Sequence, residues 1–273
     1  MTAIADGLAG FAVAGAPDTM AIRWILAATS CLYAGGVTLN DFFDRELDSR
    51  ERPERPIPSG RVRPAAAAFL GVVLLSCGVL AATQASAAAT WIAVAISGFV
   101  LLYDTWGKHR MFIGPLNMGV CRGLNLLLGI SSVPAAIEAH WYLAFLPLIY
   151  VCGITALSRG EVHGGKRPVA ILSLVSLALV LAALIAIIVS AEARPWWAAA
   201  SLALFAWRVL PPFIEALRRL EPSSIRNAVR TGVLSLVLLD AVIGGAFGGV
   251  LYCLLILATA VLAMGLAKLF AVT

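Results

Sequence analysis

Charge is scarce in this sequence. Asp, Glu, Lys and Arg make up 13% of its 273 residues, against 61% apolar residues and a mean hydropathy of +0.93. A soluble domain carries roughly 25% charged and about 45–50% apolar residues, so a soluble globular chain is excluded. The longest polar stretch, residues 42–63, is too short to fold as a soluble domain beside a membrane part. Period-two alternation is missing too, which excludes a membrane β-barrel. What remains is helices, because a spanning segment must satisfy its own backbone hydrogen bonds. The five cysteines lie in apolar stretches without CxxC spacing, which argues against a disulfide framework or a thiolate metal site. No basic segment precedes the apolar residues 2–16, so no cleavable signal is evident. The net charge of +5 sits in short loops beside apolar runs and is not a nucleic-acid footprint.

The apolar runs predict helices at 2–16, 20–41, 64–83, 86–103, 112–134, 140–157, 168–190 and 195–217, and a stretch at 228–271 long enough for two passes. The first run ends at Pro17-Asp18 and is short for a span. Gly244, Gly245, Gly248 and Gly249 mark either a break or close helix packing in the last stretch. The expected fold is therefore all-α: a polytopic membrane bundle of about nine helices around a central cavity open to the cytoplasmic side, forming one domain over 1–273. Arginines and lysines crowd the loops at 42–63, 104–111 and 158–167 and the region 208–230, whereas the alternate loops hold only Arg194. The positive-inside rule puts the basic loops in the cytoplasm, as expected for a multi-pass bacterial inner-membrane protein. Trp141, Trp196 and Trp197 fall near the opposite ends, and His109 and His140 read as loop and interface residues.

Between the second and third runs stands LNDFFDRELDSRERPERPIPSGR, residues 39–61. On a helix, Asp41, Asp44 and Asp48 fall within about 60° of one another. Carboxylates on one narrow stripe repel, and each is costly near hydrocarbon, so something positive must face them. One reading is a solvated helix end whose aspartates pair with nearby arginines. The other is magnesium, a hard cation that takes oxygen ligands and bridges to substrate phosphates. Arg52, Arg55 and Arg61 follow among Pro53, Pro56 and Pro58, and a stiff loop can fold them back over the acids. Guanidinium forks match phosphate oxygens, so acid, metal, diphosphate and arginine can alternate. Arg45, Arg50 and Arg63 read as topology determinants.

NDFFDRELD followed by RPERPIPSGR resembles the first aspartate-rich motif of the UbiA superfamily of intramembrane prenyltransferases, and the later segments resemble its EboC-like branch. The resemblance covers the chain. It implies an all-helical bundle, a magnesium-bound prenyl diphosphate and transfer of the prenyl group to a small-molecule acceptor within the membrane. It also implies catalytic and metal-binding roles for Asp41, Asp44 and Asp48, with Asn40 orienting them. Family members begin further upstream, so a start placed too late or a truncated first helix is expected.

The remaining basic loops supply further candidates. In LLYDTWGKHR, Tyr103, Lys108 and Arg110 loosely match the superfamily, and Lys108 can hold a terminal phosphate, whereas Asp104 is unexpected there. In GPLNMGVCRGLNLLLG, Asn117, Arg122 and Asn125 lie inside an apolar helix. Arg122 and Asn125 share a face and read either as cavity wall contacting diphosphate or as a structural pair between helices. LSRGEVHGGKRP, residues 157–168, occupies the place of the superfamily's second aspartate-rich motif but offers only Glu161 and His163. Either these take a metal or act on the acceptor, or Arg159 and Lys166 replace the second cation and hold the diphosphate, or prenyl transfer is lost. Histidine is a poor magnesium ligand, which weakens the first alternative. The GxxxxGK spacing of Gly160–Lys166 is not a P-loop, because no strand precedes it and Arg167 stands where Ser or Thr is needed. Asp240, alone in an apolar run, either lines the cavity or pairs with an arginine. Two rivals to an enzyme remain: a membrane protein that binds or transports a prenylated or phosphorylated metabolite without chemistry, and an assembly subunit whose charged loops dock a soluble partner.

Overall fold

The computed structural model describes residues 2–15, 19–191 and 195–269. Pro17, Asp18 and Arg194, used above as a helix end and an external charge, lie outside them. The described chain is helical throughout: α1 (Thr2–Val13), α2 (Thr19–Phe43), α3 (Arg45–Glu51), α4 (Pro64–Thr83), α5 (Ala87–Thr105), α6 (Ile113–Ile130), α7 (Pro134–His140), α8 (Phe145–Ser158), α9 (Arg167–Ser190), α10 (Trp196–Arg219), α11 (Pro222–Leu234) and α12 (Leu236–Leu269). Short 3₁₀ turns at Gly107–His109 and Trp141–Ala144 join α5 to α6 and α7 to α8.

Local chemistry sets the boundaries. Proline opens α4, α7 and α11 in the first turn, where its missing N–H costs nothing. The Ser86 hydroxyl accepts from the Ala89 amide to cap α5 and donates to the Ser131 carbonyl at the end of α6. Arg218 and Arg219 sit in the last turn of α10, where the helix dipole favours cations. The run expected at 112–134 stops at Ile130, because a turn leads into Pro134 and the separate helix α7. The run expected at 140–157 likewise begins its α-helix only at Phe145.

Eight helical runs among the described residues are long and apolar enough to cross a membrane. The last of them, Pro222–Leu262, is 41 residues long and breaks at Gly249, whose φ of 79° and ψ of −173° leave the helical region. A Cβ on Gly245 would meet that of Cys253 at 3.1 Å, one on Gly248 would meet Tyr252 at 2.8 Å, and one on Gly244 would strike Ile256. Residues before the break thus pack against residues after it in antiparallel order, so this stretch makes two passes. The first expected helix is only α1, 12 residues long and buried along its whole length from Asp6 to Val13. It is a core helix, wedged among α2, α6 and α12. Two hydrophobic clusters flank it: Ile25, Leu32, Leu75, Ala89 and Ile96 from α2, α4 and α5, and a larger one running from α1 through α8, α10 and α12.

The basic loops meet at one end of the bundle. Arg159 donates to the carbonyls of Lys108 and Arg110, the Gly165 amide donates to the Leu220 carbonyl at 2.9 Å, and Lys108 reaches Asp44. Trp197 Nε1 donates to the Gly245 carbonyl at the opposite end. The molecule is a multi-pass membrane helical bundle with one strongly charged face.

Close backbone approach at the α1–α6 crossing generates a stability prediction. A Cβ on Gly10 would strike the Leu126 carbonyl oxygen and one on Gly129 that of Gly7, and backbone cannot yield as a side chain can. Gly10→Ala or Gly129→Ala is expected to cost about 1–3 kcal/mol, the usual range for overpacking. Thermal unfolding of detergent-solubilised protein checks this, with Gly98→Ala, where the added methyl meets nothing, remaining at the wild-type midpoint.

Candidate functional site

α2 ends at Phe43, and Asp44 stands between it and α3. The turn does not lose the helical register. The Asp44 amide bonds to the Asn40 carbonyl at 2.9 Å and the Asp48 amide to the Asp44 carbonyl at 2.8 Å. Asp41, Asp44 and Asp48 therefore stay on one side despite the break. Arg55 folds back over them: its Nη1 donates to Asp41 Oδ1 at 3.1 Å and to Asp48 Oδ2 at 2.8 Å. Lys108, from the turn after α5, donates from Nζ to Asp44 Oδ1 at 2.5 Å. Asp48 is buried; Asp41 and Asp44 are half-buried. Of the arginines expected to fold back, only Arg55 touches an aspartate among the described residues. Arg61 turns instead to the Glu54 carbonyl and Ser59, and Arg52 is exposed.

Directly beneath the motif a cavity of about 390 Å³ opens between α2, α5, α6 and α8. Asn40, Tyr103 and Asp104 line it near the charged end; Arg122, Asn125 and Thr29 line it deeper in the bundle. Most of its remaining wall is apolar, including Leu32, Ile96 and Val100. Asn40 Nδ2 donates to Asp104 Oδ1 at 3.0 Å, so α5 contributes a carboxylate to the acidic group that α2 begins. Asp104, the residue unexpected in its sequence context, is buried with Oδ2 unpaired among the described residues.

The second loop is built differently from the first. Arg159 is occupied by the carbonyls of Lys108, at 3.2 Å, and Arg110, at 2.6 Å. It braces the turn that carries Lys108. Glu161 is half-buried, and burial raises its carboxyl above the usual carboxylate range against the opposing pull of Arg226 and Arg52. Its backbone carbonyl accepts from Arg226 at 3.4 Å. His163 and Lys166 are exposed on the same loop.

Deeper in the bundle, Arg122 Nε lies 2.9 Å from Asp6 Oδ2 in an ion pair whose carboxylate is fully enclosed. The Asn125 amide donates to Asp6 at 2.9 Å and to the Ala3 carbonyl at 2.8 Å, and its carbonyl oxygen accepts from the Thr29 hydroxyl. Asp240 lies against Asp6, fully buried and within electrostatic reach of Arg122. Arg122 and Asn125 thus line the cavity and also belong to a buried structural group with Asp6. The partner, Asp6, escaped the sequence reading. Its signal was there, a lone carboxylate in the apolar run TAIADGLAGFAV, and an ionisable residue at such a position needs a named counter-charge.

The motif fits magnesium in one way only. Among the described residues no three His, Cys, Asp or Glu side chains stand close enough to hold a metal by themselves. Magnesium, however, is commonly bound by one or two carboxylates plus substrate phosphates. Asp41 and Asp48 already converge on a single cationic nitrogen of Arg55, and both offer hard oxygen donors. The residues suit an ion shared with a phosphorylated ligand, not an all-protein cage.

The model of the UbiA prenyltransferase family matches residues 2–224. The chain is similar to the digeranylgeranylglyceryl phosphate synthase of Methanothrix thermoacetophila, 31% identical over 176 residues covering 60% of this chain and 66% of the relative. It is similar to the enzyme of that name from Methanopyrus kandleri, 36% identical over 124 residues and 45% of each chain. It also resembles the protoheme IX farnesyltransferase of Bacillus licheniformis, 26% identical over 128 residues, or 46% of this chain and 42% of the relative. The chain thus spans between 42% and 66% of the length of these relatives. In fold it is similar to an apo structure of a UbiA homolog from Aeropyrum pernix K1, with a TM-score of 0.67 at 17% identity over 90% of this chain and 96% of that one. It is likewise similar in fold to a structure described as digeranylgeranylglyceryl phosphate synthase in membranes, with a TM-score of 0.62 at 18% identity over 91% and 94%.

The brace by Arg159 yields a prediction. Arg159→Ala removes both side-chain donors from the 107–110 turn while leaving the aspartate motif untouched. Amide hydrogen exchange in residues 107–112 is expected to accelerate about tenfold or more, as local opening of a lightly held segment becomes easier. Unchanged exchange would mean that the turn is held by the 3₁₀ bonds alone.

Proposed function

This chain belongs to the UbiA prenyltransferase family, and we propose that it transfers a prenyl group from an allylic or polyprenyl diphosphate to a small-molecule acceptor inside the membrane. The observation that carries the reading is the convergence of Asp41, Asp44, Asp48, Arg55 and Lys108 next to Asn40 and Asp104, which line one end of a largely apolar cavity. A diphosphate head belongs at that mouth, and a hydrocarbon tail belongs among the apolar walls below it.

One or two of Asp41, Asp44 and Asp48, together with the substrate phosphates, would hold magnesium, which would supply charge withdrawal from the leaving diphosphate. The chain's own part is orientation and electrostatics. Lys108 and Arg55 stand where negative charge grows as the C1–O bond breaks and its electron pair passes to the diphosphate. Asn40, fixed by Asp104, keeps the end of α2 aligned on the cavity. The apolar wall formed by Leu32, Ile96 and Val100 excludes water from the allylic cation that results. An acceptor nucleophile then bonds to C1 and loses its proton, which balances the charge of the departing diphosphate. Arg52 and Lys166, exposed on neighbouring loops, are candidates to meet its outer oxygens. Glu161 and His163 are candidates on the acceptor side of the same rim.

Placement in the EboC-like branch rests on the resemblance of the segments after the aspartate motif alone, and the acid-poor loop at 157–168 bears on the rival reading. The transport reading draws support from that same loop. One experiment separates the two. Purified full chain, given a labelled prenyl diphosphate, an acceptor mixture and magnesium, is expected to release labelled diphosphate. Chelation abolishes the release, and Asp44→Asn lowers it by about a thousandfold, the scale of losing one organising charge on the leaving group. Binding that survives Asp44→Asn with no diphosphate released by the wild type would favour the carrier.

A further inference from the structure

Two polar centres adjoin the cavity, the first through Asn40 and Asp104 and the second through Arg122 and Asn125, and they differ in charge. At the mouth, Asp41, Asp44, Asp48 and Asp104 outnumber their direct cationic partners Arg55 and Lys108. Deeper in, Arg122 has a carboxylate 2.9 Å behind it in Asp6, and Asp240 adjoins that carboxylate. With Asp6 ionised against Arg122, the deep group carries a net charge of zero if Asp240 holds a proton and −1 if it does not. In neither state does it carry net positive charge.

Arg122 is nevertheless the cationic donor among the described residues that line this wall. Asn125 has committed its amide to Asp6 and the Ala3 carbonyl and its oxygen to Thr29. Arg122 pairs with Asp6; its Nε and Nη2 are buried without a hydrogen-bond acceptor among the described residues, Nη1 is not among those buried unpaired atoms, and the side chain keeps 12% of its surface, on the cavity wall. Along α6, at about 1.5 Å per residue, it lies between the level of Asn117, near the mouth, and that of Asn125. A group meeting Arg122 therefore sits just beyond a diphosphate held at the mouth, where a nucleophile must approach C1.

We infer that Arg122, held from behind by Asp6 and Asp240, recognises an uncharged oxygen group of the acceptor, a hydroxyl or a carbonyl, and that the site discriminates against an acceptor carrying phosphate there. The inference rests on the prenyl-transfer reading and narrows its acceptor. A neutral oxygen takes a hydrogen bond from the guanidinium without upsetting the buried balance. A phosphate would bring one or two further negative charges to a group that is already compensated, in a medium that screens poorly. Asp6 is a positioning residue: it acts through Arg122 by fixing its direction and cancelling its charge, with Asp240 adjoining Asp6 from behind.

The test compares two probes that differ only in charge, a long-chain monoalkylglycerol and its terminal phosphate ester. Equilibrium binding of each radiolabelled probe is measured on the purified full chain in detergent, with no prenyl donor present. The wild type is expected to bind the neutral probe about tenfold or more tightly, a difference of about 1.4 kcal/mol. Asp6→Asn removes the charge that compensates Arg122, so it is expected to cut the preference to below about threefold or to reverse it. If Asp6→Asn does not fold, the wild-type preference alone decides. Equal or tighter binding of the phosphate ester by the wild type, no binding of either probe, or a full preference retained in folded Asp6→Asn overturns the inference. Diphosphate release by the same preparations reports separately on prenyl transfer: release with the wrong binding preference sinks only the acceptor assignment, and the right preference without release sinks only the chemistry.

Discussion

A carboxylate at the edge of a hydrocarbon layer must be given a cation, and most of the charged end of this bundle follows from that need. Asp41 and Asp48 share one guanidinium nitrogen of Arg55, and Asp44 takes the ammonium of Lys108. For Arg55 to arrive, the segment after α3 must double back, as the proline-rich stretch 53–58 does. For Lys108 to arrive, the turn after α5 must be held against α2. Arg159 holds it, through the carbonyls on either side of His109. The loop that resembles a lost acidic motif thus has a physical task in this chain: it braces the cation that faces Asp44.

The same constraint explains which parts of the molecule could be read from sequence. Local signals sufficed where local bonds decide. Helix α4 has the bounds that Pro64 and the polar turn after Thr83 announce. The aspartate stripe survives the break at Asp44 because i to i−4 backbone bonds cross it. The double pass after residue 228 followed from length, and Gly249 supplies its turn. Partnerships across the bundle were not legible. Nothing in GPLNMGVCRGLN says that Arg122 will find Asp6 in the first helix, because that pairing depends on how α1 wedges against α6. Arg159 posed a related difficulty. A guanidinium binds phosphate oxygens and peptide carbonyls with the same donors, so residue type alone could not tell a ligand from a brace.

Glycine decides how near these partners come. At Gly10 and Gly129 the backbones of α1 and α6 approach until a single methyl would strike a carbonyl oxygen. Small residues let helices meet this way in a membrane, where apolar contact with lipid competes with apolar contact between helices. The crossing sets Asp6 within ion-pair reach of Arg122, one turn from the closest approach. Packing of the most buried helix and placement of the deep charge are therefore one structural fact, and the shortness of α1 matters less than its enclosure.

The contrast between mouth and interior gives the cavity a direction. Under the proposed reading, a divalent ion and a diphosphate complete the alternation of charge that the aspartates leave open beside the cavity. The deep group is self-compensated and has nothing to gain from a second anion. For the proposed prenyl diphosphate, the favoured orientation is therefore head toward Asp44 and Lys108, tail toward Leu32 and Ile96. Reversing it would strand a diphosphate beside a neutral ion pair in a low-dielectric wall, at a cost that short-range contacts along the tail would not offset. Orientation of the donor is thus imposed by where charge is left incomplete, before any single hydrogen bond to the ligand is counted.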